Sequence, residues 1–307
     1  MTEGFFKPRF ENAQPSSFIR SVTEAEGDKG GKSPIPFSKG ILPISQSSFS
    51  LVGSGESLAT CGSYFTIGCL NVEEHEGMTL DGVNMEGKAY LQRVKRSCHR
   101  PLCPICWQDW ANREVRKAVT RLEAYRLKGR SIKPIHVTVS VPLVDWGLSL
   151  PELRKKVYRV LKRVHCHGGM LIYHPFRQNL RRVWYFSPHF HILGYGWIVD
   201  VRANYVHSGY IVKNIGIRKT LPGTIFYQLS HCGVSSERHA VTWFGALSYG
   251  KLHVRYDLEK ELTCPLCRGK LHRLMWIGKG QMPLDDIEGV AFFDDAENWV
   301  RWKFDFG

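Results

Sequence analysis

His189 and His191 flank Phe190 in a motif that could bind a metal ion. Successive side chains of a β-strand point to opposite faces, so the two histidines would project together while Phe190 turns into the core. The β-branched and aromatic residues that follow favour a strand. A pair of imidazoles on one face suits a divalent metal. Taken alone the motif is weak evidence, because most such histidine pairs are not ligands.

A third metal ligand has to come from elsewhere in the chain. Residues 153–199 contain no aspartate or glutamate and nine lysines or arginines. Hard cations such as Mg²⁺ and Mn²⁺ usually take a carboxylate ligand, and none lies nearby in sequence. We predict that His174, on the preceding predicted strand, is the third ligand. Asp145 and Asp200 are the alternatives.

Five of the nine cysteines lie in two tight clusters, and the first predicts a zinc site. Cys103 and Cys106 form a Cys-x-x-Cys turn, and Cys98 precedes them closely. Converging thiolates at this spacing are typical of structural Zn²⁺, which takes four ligands. Cys61 is the preferred fourth ligand. The alternatives are Cys69, His75 and His99.

The second cysteine cluster, Cys264 and Cys267, resembles a zinc knuckle. Spacing does not decide which residues would complete it. The candidates are His253, His272 and Cys232.

Charge and hydropathy restrict the partners. The 307 residues include 42 lysines and arginines against 28 acidic residues, a formal charge of +14. Such an excess predicts a polyanionic partner, most commonly nucleic acid. No basic amphipathic helix, signal peptide or membrane-length apolar run is recognisable. Together with cysteine spacings that suit zinc in a reducing compartment, this predicts a cytoplasmic protein without a membrane partner.

The elements that must position these residues alternate between strand and helix. Residues 135–141, 169–174 and 210–217 are predicted strands, in addition to the histidine strand. A helix should follow the capping box of Ser149 and Glu152 and end at the His165-Cys166-His167 stretch. Trp107 to about residue 127 and residues 223–232 are predicted helices, the second carrying Tyr227 and His231 on one face.

Composition suggests four segments. Residues 1–56 are rich in Ser, Gly, Pro and Lys and are predicted to be largely disordered. Residues 57–128 form a zinc-binding segment with a helix, 129–250 the core that bears the histidines, and 251–307 the knuckle segment, which ends in an acidic patch.

Taken in order, six stretches resemble the rolling-circle replication initiators of the HUH endonuclease superfamily, especially those of archaeal plasmids and viruses. The resemblance spans about residues 61–250. The stretches are Cys61-Gly62, 98–107, 137–141, 168–175, 188–191 and 227–231.

The resemblance implies an α+β fold with an RRM-like central antiparallel sheet and flanking helices. His189 and His191 would hold Mg²⁺ or Mn²⁺, and Tyr227 would attack single-stranded origin DNA, leaving a 5′-phosphotyrosyl enzyme and a free 3′-hydroxyl. Host helicase and polymerase are implied partners. His231 stands where family members often have lysine. The candidates for holding the DNA are Arg177, Arg181 and Arg182.

Two alternatives remain at the level of sequence. A single-tyrosine transposase would use the same chemistry, although such proteins are usually shorter and lack the upstream cysteine motif. A non-catalytic, zinc-dependent DNA-binding regulator would use the histidines and Tyr227 only for packing. Three further tyrosines could assist the nucleophile, namely Tyr205, Tyr210 and Tyr249.

Overall fold

The structure, a computed structural model, describes residues 49–80, 83–126, 133–181, 183–218, 220–256, 262–280, 282 and 291–302. The chain divides into two compact units. Unit 1 is Met1–Ser54 with Leu122–Leu252, and unit 2 is Gly55–Arg121 with His253–Gly307. The segments 57–128 and 251–307, predicted to be separate, therefore contribute to one unit, because strands from both pair in a single sheet.

The elements are as follows. The α-helices are α1 Trp107–Arg126, α2 Leu150–Arg163, α3 Val201–Ser208 and α4 Leu221–Leu229. The strands of unit 1 are β1 Ser50–Leu51, β6 Ile135–Ser140, β7 Cys166–Gln178, β8 Trp184–Gly196, β9 Ile211–Ile217, β10 Gly233–Val234 and β11 Val241–Gly245. Those of unit 2 are β2 Tyr64–Cys69, β3 Thr79–Leu80, β4 Val83–Asn84, β5 Lys88–Lys95, β12 His272–Trp276, β13 Ala291–Asp295 and β14 Trp299–Arg301.

Unit 1 is built on a five-stranded antiparallel sheet with the order β11-β7-β8-β6-β9. The prediction of an α+β fold with antiparallel sheets flanked by helices is confirmed. Residues opposite each other on neighbouring strands share a face. His189 lies opposite both His174 on β7 and Ser140 on β6. His136 is on the same face of β6 as Ser140, so histidines from β6, β7 and β8 lie on one side of the sheet.

The other side of this sheet carries the apolar core. Val137, Val139, Phe190 and Ile192 alternate with the polar face along β6 and β8, and all four are fully buried. Helix α2 covers them with its apolar stripe. Its start has the predicted capping box, in which the carboxylate of Glu152 accepts hydrogen bonds from the backbone N–H and hydroxyl of Ser149. The stripe consists of Leu153, Val157, Val160 and Leu161.

Close approach between β7 and β8 requires glycine. A Cβ on Gly194 would lie 2.2 Å from the carbonyl oxygen of Gly168, and one on Gly169 would lie 2.5 Å from the carbonyl oxygen of Leu193. Any side chain at these positions would push apart the two strands that carry His174, His189 and His191.

Unit 2 contains a second five-stranded antiparallel sheet, with the order β13-β5-β2-β12-β14. Strands β2 and β5 come from the segment before residue 121, and the other three come from the end of the chain. Two small apolar clusters stabilise it. They are Ile67, Cys69, Cys264 and Leu271, and Ala89, Leu91, Leu274 and Trp299.

Several predicted boundaries are corrected. Helix α2 ends at Arg163, and His165 has a positive φ of 59°, so Cys166 and His167 begin β7 and do not end the helix. Helix α4 ends at Leu229, and Gly233 belongs to β10. Residues 1–48 of the predicted disordered segment and residues 283–290 of the acidic patch lie outside the described residues. No described helix has the length and apolar character to cross a membrane.

Candidate functional site

Three histidines of unit 1 form a group that could hold a metal ion. The ring centroids of His174 and His191 are 4.5 Å apart, those of His174 and His189 5.2 Å, and those of His189 and His191 5.1 Å. One nitrogen from each ring lies within 4.8 Å of the others. The strand pairing explains this convergence, because His174 lies directly opposite His189.

Burial keeps these imidazoles neutral. Desolvation, followed by the charges of the neighbouring histidines, lowers the pKa of both His174 and His191 well below the ordinary value. Desolvation, followed by the charge of Arg177, lowers the pKa of His189 to about 3. A neutral imidazole has a lone pair to donate to a metal. The three imidazoles are therefore neutral at neutral pH, as metal binding requires.

The burial and hydrogen bonding of His174 are those expected of a metal ligand. His174 is fully buried, and neither ring nitrogen makes a hydrogen bond of normal geometry with the described residues. A contact with the backbone of Gln228 acts to raise its pKa, against the desolvation that lowers it. A buried imidazole without well-formed hydrogen bonds loses the interactions that it makes in water, and metal coordination would compensate for that loss. The residues present therefore fit a metal ion.

Hydrogen bonds determine the tautomers of the other two histidines. His189 must donate its Nδ1–H to the carbonyl oxygen of Ser187, 2.8 Å away, which leaves Nε2 with a lone pair. His191 receives a hydrogen bond at Nδ1 from Nε2 of His136, 2.8 Å away, because Arg218 donates to the other nitrogen of His136 at 3.0 Å. His191 then carries its proton on Nε2. To coordinate a metal through Nε2, His191 would have to carry the proton on Nδ1 and donate it to Nε2 of His136.

His136 and Arg218 are site residues that sequence reasoning missed. Burial, followed by the charge of Arg218, lowers the pKa of His136 to about 4. His136 lies in the strictly alternating strand predicted at residues 135–141, on the face of Thr138 and Ser140. The register that pairs Thr138 with His191 was the missing information. Without it, the alternation alone could not show that β6 lies beside the histidine strand.

Tyr227 lies at the edge of the histidine group. It is on α4, 65% exposed, and its ring centroid is 4.7 Å from that of His231. His231 in turn lies 4.6 Å from His174, ring to ring. His231 is just beyond the end of α4, where burial lowers its pKa to about 4, so it is neutral at pH 7. The exposed phenol of Tyr227 therefore contacts the neutral imidazole of His231, which in turn contacts the group of three histidines.

The carboxylates considered as alternative ligands are engaged elsewhere. Asp145 is buried and accepts hydrogen bonds from Lys156 at 2.6 Å and from the hydroxyl of Tyr210 at 2.7 Å. Asp200 precedes α3 and lies 3.5 Å from His165. Neither belongs to the histidine group. The bond to Asp145 and full burial also exclude Tyr210 as an assisting nucleophile.

The predicted DNA-binding arginines differ in position. Arg177 donates to the hydroxyl of Ser140 at 2.7 Å and lies close enough to lower the pKa of His189. Arg181 is exposed in the turn after β7, beside the histidine strand's start. Arg182 lies outside the described residues. Lys213, exposed on β9, is opposite Thr138 and adds a cation to the same face.

The first cysteine cluster brings together the four predicted ligands of unit 2, Cys61, Cys98, Cys103 and Cys106. This Cys₄ group could hold a metal such as zinc. Desolvation acts to raise the pKa of Cys98, but hydrogen bonds from Arg100 outweigh it and bring the pKa to about 6. Desolvation, followed by hydrogen bonds with Cys98 and Cys106, raises the pKa of Cys61 to about 12. Arg100 thereby favours the thiolate form of Cys98, which is the form that binds a metal.

The second cluster is completed by residues different from those expected. Cys264 and Cys267 lie with Cys69 and His75, two residues that the sequence suggested only as alternatives for the first cluster. None of the three predicted completing residues belongs to this group. They are His253, His272 and Cys232.

Comparison of the chain with models of known families, with curated proteins and with solved structures finds no match. The geometry itself defines what the molecule offers: three neutral imidazoles on an antiparallel sheet, an exposed tyrosine beside them, cations around them and two cysteine-rich clusters in the other unit.

Proposed function

We propose that this protein nicks and rejoins single-stranded DNA with Tyr227 as the nucleophile, and that it initiates rolling-circle replication as an HUH-type endonuclease. The observation that carries the proposal is the exposed Tyr227 ring, which is linked through His231 to His174 by ring contacts of 4.7 Å and 4.6 Å. Tyr227 is 65% exposed, so its hydroxyl is accessible to a DNA strand.

The reaction transfers a phosphoryl group to the tyrosine. Oη of Tyr227 forms a bond to phosphorus, the bond between phosphorus and the 3′-oxygen breaks, and that oxygen takes up a proton to become a free 3′-hydroxyl. The proton that the tyrosine loses passes to solvent, because burial lowers the pKa of His231 to about 4 and makes it a weak base. His231 contacts the ring of Tyr227 and would position it. The phosphotyrosyl ester retains the energy of the broken bond, so attack by a 3′-hydroxyl rejoins the strand.

His174, His189 and His191 would hold the metal. When bound, a divalent ion would polarise the scissile phosphodiester and stabilise the charge that develops on it. A set of imidazoles without a carboxylate suits Mn²⁺ better than Mg²⁺, because Mg²⁺ prefers oxygen ligands. The absence of a described carboxylate from the group is the reason to rank the two ions in this order.

Cations around the group would hold the DNA backbone. Arg177 on β7, Lys213 on β9 and Arg218 just after β9 lie on or beside the histidine face. The scissile phosphate must reach both the metal ligands and Tyr227, which requires a single-stranded or locally unpaired substrate.

The proposal can be tested by finding which DNA fragment remains covalently attached to the protein. Full-length protein is incubated with Mn²⁺ and a pool of single-stranded oligonucleotides of random sequence, labelled at either the 3′ or the 5′ end. A 5′-phosphotyrosyl bond retains the fragment on the 3′ side of the nick, so the 3′-labelled pool should label the denatured protein and the 5′-labelled pool should not. Tyr227→Phe should remove the labelling, and Tyr64→Phe, at a partly exposed tyrosine of unit 2, should retain it.

Other outcomes would decide against the proposal. Labelling that survives Tyr227→Phe would move the nucleophile to another residue. No labelling by wild-type protein that still binds single-stranded DNA would favour the zinc-dependent regulator. Efficient joining of two different DNA ends, with no nick preserved at an origin, would favour the transposase.

A further inference from the structure

Four side chains from opposite ends of unit 2 meet at one point: Cys69, His75, Cys264 and Cys267. Their ligand atoms lie within 4.8 Å of one another. The sulfurs of Cys69 and Cys267 are 3.6 Å apart, and Sγ of Cys264 is 3.4 Å from Nε2 of His75. A disulfide needs about 2.05 Å between sulfurs, so these are free thiols.

The spacing matches tetrahedral zinc. With Zn–S bonds of about 2.3 Å and Zn–N bonds of about 2.0 Å, tetrahedral geometry separates two sulfurs by about 3.8 Å and a sulfur from a nitrogen by about 3.5 Å. The two measured distances agree with these values within about 0.2 Å. Three of the four residues are buried, and His75 and Cys264 are completely so.

The tautomer of His75 provides independent support. Its Nδ1 lies 3.0 Å from the carbonyl oxygen of Lys88, which can only accept, so Nδ1 carries the proton. Nε2 therefore has a lone pair directed towards Cys264. A histidine that ligates a metal typically donates its other N–H to a carbonyl in this way. The short 3₁₀ helix Val72–His75, at the end of β2, places the ring.

The turn at Cys264 and Cys267 has the geometry of a metal knuckle. The N–H of Arg268 donates to the carbonyl of Cys264 at 3.0 Å, and the N–H of Gly269 lies 3.4 Å from Sγ of Cys267. Arg268 has a φ of 63°. A Cβ on Gly269 would lie 3.2 Å from Sγ of Cys267, so the residue that approaches the sulfur must be small.

We infer that Cys69, His75, Cys264 and Cys267 form a second zinc site, separate from the Cys₄ group. Three thiolates and an imidazole in a closed tetrahedron favour structural zinc over harder ions. This inference does not depend on the proposed nicking activity.

The site has a specific structural task. The ligands of the Cys₄ group all lie between residues 61 and 106, whereas this site joins Cys264 to His75 across 189 positions of sequence. It thereby fastens the terminal segment to β2, next to the pairing of His272 with Gly68. A metal that binds only the assembled site stabilises the folded unit. Its binding free energy offsets the entropy cost of closing the long loop between the two segments.

Zinc content tests the inference. The full-length protein is purified without chelator and its zinc is measured by elemental analysis. Cys69→Ser with Cys264→Ser should lose one zinc per chain relative to wild type, and adding Cys103→Ser with Cys106→Ser should remove another. Cys232→Ser, a buried cysteine outside both groups, should keep the wild-type value. An unchanged zinc content in the Cys69/Cys264 double variant would overturn the inference.

A second measurement on wild-type protein covers variants that fail to fold. An organomercurial is titrated against the thiols while a chromogenic chelator reports each zinc released, and peptide mapping identifies the cysteines modified at every stage. One equivalent of zinc should appear together with modification of Cys69, Cys264 and Cys267, and a separate one with the Cys₄ group. Modification of those three cysteines without release of zinc would refute the site.

Discussion

Acidification of the metal-free protein should selectively destabilise unit 1. Burial lowers the pKa values of four histidines on the polar face of its sheet and of His231, which follows α4. The four are His136, His174, His189 and His191. In the unfolded chain each would titrate near the ordinary value of 6.5. As the pH falls below that value the unfolded state takes up protons that the folded state refuses, so the free energy of unfolding decreases.

The size of this decrease in the free energy of unfolding follows from the difference in proton binding between the folded and unfolded states. Between about pH 7 and about pH 5.5, a group with an unfolded pKa of about 6.5 and a folded pKa below about 4.5 removes about 1.2 kcal/mol of stability. His136, His189 and His231, with folded pKa values of about 4, 3 and 4, together remove about 3.6 kcal/mol, and His174 and His191 act in the same direction. Small domains are stable by about 5–15 kcal/mol, so the change would be a large part of the total. The stability is fully present above pH 6.5 and is lost as the pH falls towards the folded values.

The assay must distinguish the two units, because acid also releases zinc from thiolates. Hydrogen exchange measured by mass spectrometry on peptides from β7 and β8 reports unit 1 directly. Chelator-treated protein is compared at pH 7 and pH 5.5, with rates corrected for intrinsic exchange. His136→Gln removes one titrating group and should recover about 1.2 kcal/mol of the loss. His239→Gln changes an exposed histidine and should recover none.

Equal protection of β7 and β8 at both pH values would refute the reasoning, because it would mean that these imidazoles are not held neutral by the fold. An undiminished loss in His136→Gln would also contradict it. Protection restored by Mn²⁺ at pH 5.5 would be consistent with ligand binding to the same histidines.

Three further predictions concern the metal and the sheet. Arg218→Gln should bind Mn²⁺ about tenfold more tightly by calorimetry, since it removes a cation and lets His136 accept a proton from His191; weaker binding would contradict this. Adduct formation should be about tenfold greater with Mn²⁺ than with Mg²⁺, and a preference for Mg²⁺ would argue against an all-imidazole site. In urea unfolding, Gly194→Ala should lower the free energy of unfolding by about 2 kcal/mol. Gly223→Ala, which has open space around it on α4, should be neutral or stabilising. Equal effects of the two substitutions would contradict the close approach of β7 and β8.

Local patterns predicted much of unit 1. The alternation around His189 and His191, the capping box at Ser149 and the apolar stripe of α2 are each determined by neighbours in sequence, and the structure has them where they were expected. Boundaries were less accurate. The sequence predicts that this helix ends at the stretch from His165, but the positive φ of His165 turns the chain into β7.

By itself, the sequence determined the types of ligand, the strand face of His189 and His191 and the convergence of Cys98, Cys103 and Cys106, since each depends on residues a few positions apart. Only the tertiary structure decided which distant residues join them. His136 enters through the register of β6 against β8, and Cys69 with His75 enter through a contact with the terminal knuckle. Periodicity shows which way a side chain points, but not which strand lies beside it, because pairing is set by the packing of the whole unit.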